Sequence, residues 1–365
     1  MKWEKVFRQG LTAFLTAIFL LSAAIVSAAI EIFDGAGQYI MSDFENHDIA
    51  KQRAQQRAER DAQKKAGVAL KTFSRSINSE LTDDEISAVT NNIIKVSDVN
   101  IMPVPFETNG EAGIMYRATL KATIDTDGIY AWIKRDDKEK VIILNQNNDL
   151  QDAIAKNDKQ VEDLKEKYNR ATSQSEKERI IKQMTDADRD FLASKKLKEG
   201  LKLFYLIDSK GAIRLYNEAL KLKPDYAEAY YNRGIAYSVS FQNKRAIQDF
   251  NKAIQLNPNY AEAYNNRGWS YDMLGQHERG IQDLDKAIQL NPNYADAYYN
   301  RGVVYFRIGN YQQGIADATK VIQINPDYIP AYELRGFSYQ QLGEETKGKA
   351  DLAKAKELRN KGRRS

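Results

Sequence analysis

In the C-terminal half of the chain, small and aromatic residues return at three- and four-residue steps, and the whole pattern returns every 34 residues. Tyr230, Gly234 and Tyr237 stand at i, i+4 and i+7, which places them on one face of a helix, and Ala246, Phe250 and Ala253 share a second such face. AYYNRG at 229–234 is echoed by AYNNRG at 263–268, AYYNRG at 297–302 and AYELRG at 331–336. In units counted from 193, 227, 261, 295 and 329, the eighth place is always glycine and the twentieth alanine or glycine. The twenty-seventh is Ala219, Ala253, Ala287, Val321 and Ala355. This spacing predicts two helices per unit that meet through small residues, with aromatic rings filling the space beside the contact. Pro224, Pro258, Pro292 and Pro326 end the second helix, because the residue before a proline disfavours the helical region. Gly275, Gly309 and Gly343 mark the turn within the hairpin, and Phe241 stands there in the first full unit.

The pattern upstream is different. GQYIM at 37–41 reads as a strand, and Ala50, Ala54, Ala58, Ala62 and Ala66 form a four-residue stripe that suits a long helix lying tightly on a sheet, with Gly67 accommodated or kinking it. TDDE at 82–85 is a capping box opening a helix that carries Ile86, Val89 and Ile93. Asn109-Gly110 is a hairpin turn signal, followed by alternating Ile114, Tyr116, Ala118, Leu120, Ala122 and Ile124. Pro103 and Pro105 restrict the other arm to an edge or a bulge. Between the two regions, Val161, Leu164, Tyr168 and Ala171 make one helical seam and Ile181, Met184 and Phe191 a weaker one. Ser175 with Glu178 could cap the second helix of a hairpin turning near 172–175. A solvated charged linker is the alternative there.

The periodic features resemble the tetratricopeptide repeat family: small residues at the eighth, twentieth and twenty-seventh places, aromatics at the fourth and eleventh, proline at the thirty-second. The first unit departs most, with Lys196 and Leu203 where tyrosines stand later, and the last has Asn360 in place of its proline. Divergent outer units suit a solenoid whose ends face water. The resemblance implies a right-handed superhelix with a concave groove that binds peptides or proteins. GQYIMSD, the run AKQRAQQRAERDAQKKAGV and LTDDEI make the front region similar to the small α+β domain at the start of flagellar assembly protein T and related envelope lipoproteins, a resemblance that implies an envelope location. The expected architecture is mainly α: a small α+β domain at 30–137, a charged helical or coiled-coil spacer at 138–192, and an α-solenoid of five units at 193–362.

The first 29 residues stand apart. Lys2, Lys5 and Arg8 precede an uncharged apolar run ending in VSAA, which reads as a secretory signal rather than a spanning helix. The expected destination is the periplasm or cell envelope. The net charge of +4 is too even to suggest a nucleic-acid or anionic-lipid partner. The chain has no cysteine, so no disulfide forms and no lipid is attached in the bacterial lipoprotein manner.

Catalytic chemistry is not expected. Two histidines, His47 and His277, are too few for the common zinc sites, and no GxxxxGK[ST], GxSxG or HExxH occurs. DTDG at 125–128 hints at a calcium loop, but its glycine comes too early and no acidic twelfth residue fits, so a strand end and turn is expected. No cofactor or metal site is assigned.

A binding face can be assigned. With the fourth, eighth and eleventh places toward the hairpin core, the sixth falls nearly opposite. The candidate groove is then Tyr231, Asn232 and Ile235; Asn265, Asn266, Trp269 and Asp272; and Tyr299, Asn300, Val303, Phe306 and Arg307. Two roles are open for it. The apolar residues and asparagines can join neighbouring units, or they can grip a ligand, since an amide pairs with any peptide main chain. The family resemblance implies the second use. Glu228, Glu262 and Asp296 at the second place repel a carboxylate and favour a neutral or basic ligand. The repeated Tyr and Trp leave recognition of envelope glycan as the alternative. Arg233, Arg267 and Arg301 are expected to pack on tyrosine and pair with Asp249, Asp283 and Asp317 of nearby units. N-terminal sequencing or intact mass of the exported protein should show a mature chain starting at Ala29 or Ile30; a retained Met1 in the membrane fraction would overturn the signal assignment.

Overall fold

Strand β1 (Phe33–Met41) buries alternate residues against helix α1 (His47–Ser76), and the five alanines of the stripe are fully buried. The contact is backbone on backbone: a Cβ on Gly37 would lie 2.3 Å from Ala58 N and 2.5 Å from Ala54 O. This computed structural model describes residues 33–42, 45–76, 81–108, 111–124 and 137–361. The stretch 1–29, the Asn109-Gly110 turn and DTDG at 125–128 lie outside the described residues.

Helix α2 (Asp83–Ile93) opens with the capping box, Glu85 N donating to Thr82 Oγ1 and Thr82 N to Glu85 Oε2. Strands β2 (Ile94–Thr108) and β3 (Glu111–Ile124) complete an antiparallel sheet of order β1-β3-β2. Pro103 and Pro105 lie on the outer strand β2, where their missing N–H groups break no central ladder, and a bulge interrupts the register between Ser97 and Asn100. The opposite edge is closed by side chains. Asp61 accepts from Ala36 N at 3.0 Å, while Lys65, Arg57 and Lys165 donate to the carbonyls of Asp34, Gln38 and Ile40. An edge covered this way does not template another strand.

The charged segment forms helices α3 (Asp137–Arg170) and α4 (Gln174–Tyr205). Their turn is capped by Ser173, which accepts from Glu176 N, rather than by Ser175. Val161, Leu164, Ala171, Ile180, Met184 and Ala187 form one cluster, with Tyr168 against it. Ile180, not Ile181, faces inward, in step with the buried Met184, Ala187 and Phe191 at four- and three-residue intervals. Arg53 of α1, 1% exposed, donates to Asp158, Asn157 and Asp188. Lys165 pairs with Glu45 and lies 4.0 Å from the Tyr39 ring centroid. Burial pulls the Lys165 ammonium below the ordinary lysine range and pushes the Asp188 carboxyl above the ordinary carboxylate range, with Arg53 opposing the latter. This first compact unit extends to Asp188, and the second begins at Arg189.

The second unit is a series of helical hairpins. The end of α4 pairs with α5 (Ser209–Leu222); then come α6 (Ala227–Val239) with α7 (Asn243–Leu256), α8 (Ala261–Asp272) with α9 (His277–Leu290), α10 (Ala295–Arg307) with α11 (Tyr311–Ile324), and α12 (Ile329–Gln341) with α13 (Glu345–Lys361). Each NP turn is closed twice. Asn257 N donates to Ala253 O while its side chain accepts from Asn259 N, and Asn291 and Asn325 repeat both bonds. Gly268 and Gly280 let α8 and α9 touch: a Cβ on either would sit within 2.9 Å of the other's carbonyl oxygen. Gly268→Leu should therefore lower the melting temperature and disturb adjacent hairpins, with a cost of at least about 1–3 kcal/mol since the obstacle is backbone; an unchanged melt would show the helix contact to be misplaced.

Candidate functional site

Two polar ladders run through the hairpins, one on each side of the first helices. The arginine of the NRG signature builds the first. Arg233, on α6, forms a bidentate pair with Asp249 of α7 through Nε at 2.7 Å and Nη2 at 2.6 Å. Its remaining terminal nitrogen donates to Asn217 of α5, in the preceding hairpin. Arg267 repeats this with Asp283 and Asn251, Arg301 with Asp317 and Asp285, and Arg335 with Asp351 and Thr319. Each aspartate lies 16 residues after its arginine, in the same unit, and each second partner 16 before it. The expected pairing with a neighbouring unit's aspartate is thus corrected: the aspartate is the arginine's own, and the neighbour supplies an amide, carboxylate or hydroxyl at the twenty-fifth place. That place is polar in the first four units and alanine, Ala353, in the last, and its chemistry changes too much to stand out. The guanidinium carbons lie 5.3–5.7 Å from the ring centroids of Tyr230, Tyr264, Tyr298 and Tyr332, as expected.

These pairs are buried, the aspartates between 3% and 8% exposed. Burial works against the Arg233 and Arg267 guanidinium groups, but bonds to Asp249 and Asp283 outweigh it and hold them above the ordinary arginine range. Burial pushes the Asp317 carboxyl up, with Arg301 pulling against it. Beside the clamp, a 330 Å³ hollow is lined by Asn251, Arg267, Tyr271, Arg279, Gln282 and Asp283. Arg267 and Asp283 satisfy each other there, and Arg279 donates to Gln276 and to the Tyr271 hydroxyl.

The second ladder contains the candidate groove residues. Asn300 Nδ2 donates to Asn265 Oδ1 at 2.9 Å, Asn265 Nδ2 to Asn266 Oδ1 at 3.2 Å, and Asn266 Nδ2 to the Tyr231 hydroxyl at 3.1 Å. One chain of side-chain bonds therefore crosses three units. Asn232 turns back to its own helix, donating to Glu228 O. Tyr231, Asn232, Asn265 and Asp272 are buried. Tyr231 stacks on Tyr260 at 4.7 Å and touches Phe250, so it belongs to the joint between units. Ile235 and Val303 pack on the clusters below them. Asp272 is bonded by His277 Nδ1 and by Arg307, and Arg307 covers the Trp269 face at 5.1 Å. Phe306 meets Tyr311 edge to face. Asn266, Trp269, Tyr299, Asn300, Val303 and Phe306 remain half-buried, each with one side open to solvent. Residues that pattern reading missed include the tyrosines at the thirty-fourth place: Tyr260 stacks on Tyr231, and Tyr328 stacks on Tyr299 and donates to Asp296. Their signal was a tyrosine before each new first helix. Among the described residues, no group of three His, Cys, Asp or Glu is placed to hold a metal ion.

Tetratricopeptide repeat models match residues 227–260, 295–328 and 250–282, and a TPR repeat model matches 208–238 and 270–309. Residues 208–328 are tetratricopeptide repeats. The second unit is thus a TPR solenoid, and it follows a small three-stranded antiparallel sheet. Among solved structures, this TPR region is similar to MamA at 33% identity, covering 46% of this chain and 97% of that one with a TM-score of 0.43. It is also similar to YrrB, described as a TPR protein with an unusual peptide-binding site, at 23% identity, 45% and 84% coverage and a TM-score of 0.39. PilW, described as a type IV pilus biogenesis factor, matches at 22% identity, 46% and 78% coverage and a TM-score of 0.44. No curated protein matches the chain.

The TPR clamp leads to a sharp expectation. Arg267→Met leaves the Asp283 carboxylate buried without its charge partner and should cost about 3–5 kcal/mol, while adding Asp283→Leu should recover much of the loss. A thermal or urea double-mutant cycle measures both; near-additive losses would show that the pair acts independently of its burial.

Proposed function

We propose that the protein is an exported, non-catalytic interaction scaffold of the cell envelope whose TPR first helices hold a peptide or protein segment. The observation that carries this reading is the open face of α8 and α10. There, amide groups of Asn266 and Asn300 alternate with the apolar surface of Trp269, Tyr299, Val303 and Phe306, all half-buried. Apolar surface confers affinity and amides orient a main chain, the pairing expected of a peptide site. Both amides are bonded to Asn265, so they are held in place before a ligand arrives, which lowers the ordering cost of binding.

Charge selects the ligand class. Glu228 and Glu262 are exposed along the rim and Asp296 is half-buried, whereas Arg307 is engaged by Asp272. A neutral or basic segment fits this rim better than an acidic one or a terminal carboxylate. Arg307 covers one face of Trp269, which leaves less of the ring for stacking on a sugar. The apolar stretch at 11–28 and the likeness of the front region to envelope proteins support export, and the front unit serves in this reading as a second point of attachment.

Peptide arrays graded from acidic to basic test the proposal. The protein should retain neutral and basic peptides and reject acidic ones. Trp269→Ala with Asn300→Ala should weaken retention at least tenfold with a modest change in melting temperature, as a half-buried amide contributes about 0.5–1.5 kcal/mol. Retention of isolated cell-wall glycan with no peptide bound, or unchanged peptide binding by the variant, would overturn it.

A further inference from the structure

The turns inside the hairpins occupy equivalent places 34 residues apart, yet they fall into two kinds. In the three later turns the residue with positive φ is glycine: Gly275 at 74°, Gly309 at 81° and Gly343 at 78°. In the first two it is Ile207 at 65° and Phe241 at 58°. An L-residue in the left-handed region is strained, and a β-branched or bulky one is a marked outlier. Burial does not compensate, since Ile207 is 90% and Phe241 84% exposed, with Leu206 at 65% and Val239 at 53% beside them. The backbone is strained in a way that holds large apolar side chains in water, the opposite of what packing would select. Strain kept without a packing reason points to a use.

Charge separates the same two turns from the others. Around them, Lys202, Lys210, Lys244 and Arg245 face one carboxylate, Asp208, which is engaged in capping Gly211 N. Around the three later turns, Arg279, Arg307 and Lys347 stand with Asp272, Glu278, Glu344 and Glu345. Lys210, Lys244 and Arg245 are exposed. The even charge of the whole chain hides this local excess, and only charges within a Debye length of a surface act on it.

We propose that this edge of the TPR solenoid docks on an anionic lipid bilayer. Leu206, Ile207 and Phe241 enter the boundary between headgroups and acyl chains, and Lys210, Lys244 and Arg245 meet the lipid phosphates. Apolar tips flanked by cations are the composition of an interfacial anchor. The shape favours a bilayer over an acidic protein. Leu206 and Ile207 stand out on one hairpin turn and Phe241 on the next, all three exposed to solvent. A protein partner would need a matching pocket for each tip, whereas a fluid surface needs none. The proposal uses none of the groove residues, so it stands apart from the peptide reading.

The chain has no cysteine, so single labels are clean. Phe241→Cys and, separately, Leu206→Cys carry an environment-sensitive dye on the full chain, with Asn293→Cys in a turn between hairpins as the control. With vesicles of mixed phosphatidylglycerol and phosphatidylcholine, the dye at 241 and 206 should shift blue and escape an aqueous quencher while that at 293 stays wet. Phosphatidylcholine alone should give no shift. Combined Lys210→Glu, Lys244→Glu and Arg245→Glu should cut the partition through this edge more than tenfold, since each cation near such a surface contributes roughly fivefold. Ile207→Gly with Phe241→Gly should raise the melting temperature, by relieving strain, while lowering vesicle binding at this edge. The local dye reading separates these effects from any insertion of the apolar stretch at 11–28. Equal quenching at 241 and 293, or a shift at 241 that survives charge reversal, would overturn the proposal.

Discussion

The TPR solenoid depends on a buried arginine that must find two partners at once. Each NRG arginine spans from its own hairpin's aspartate to the second helix of the hairpin before, so one side chain ties three helices. A buried ion pair adds little net stability against an apolar replacement, but breaking it leaves a charge stranded. Its contribution is therefore to register. A slip of one residue in either helix would strand an aspartate inside the unit, and packing of small residues at the eighth and twentieth places would fail with it. Because the clamp repeats every 34 residues, the same constraint is imposed at each joint, which suits an array stabilised by nearest neighbours.

With register set on one side, the opposite side of the first helices can carry polar groups without loss of the fold. There the amides of Asn265, Asn266 and Asn300 bond across units while part of their surface, with Trp269, Tyr299 and Phe306, stays open. The two roles open for the asparagines are compatible: they join the units and present hydrogen-bonding groups held in place by that joint. In the first unit, Arg53 is the counterpart of the TPR arginine, a buried cation drawing α3 and α4 onto α1 through Asp158, Asn157 and Asp188. It makes the charged helices part of a packed structure rather than a tether.

Most of what is periodic or locally capped could be read from the chain alone. The alanine stripe, the Thr82–Glu85 box, the proline-edged strand, the hairpin units and the stacking of arginine on tyrosine all follow from spacing and from bonds made within a few residues. The seam of α3 was legible for the same reason. In the α4 seam Ile180 takes the place expected of Ile181, because they lie four and three residues before Met184 and spacing alone does not separate them. Packing of hairpin on hairpin chose between partners that sequence makes equally available: which aspartate an arginine reaches, whether an asparagine faces its own backbone, as Asn232 does, or a neighbour's amide, as Asn300 does, and how far Asp272 and Tyr231 sink from the surface. Those outcomes depend on the angle and spacing at which one hairpin lies on the next. That geometry is set by the summed packing of all the residues between them, and no local pattern encodes it.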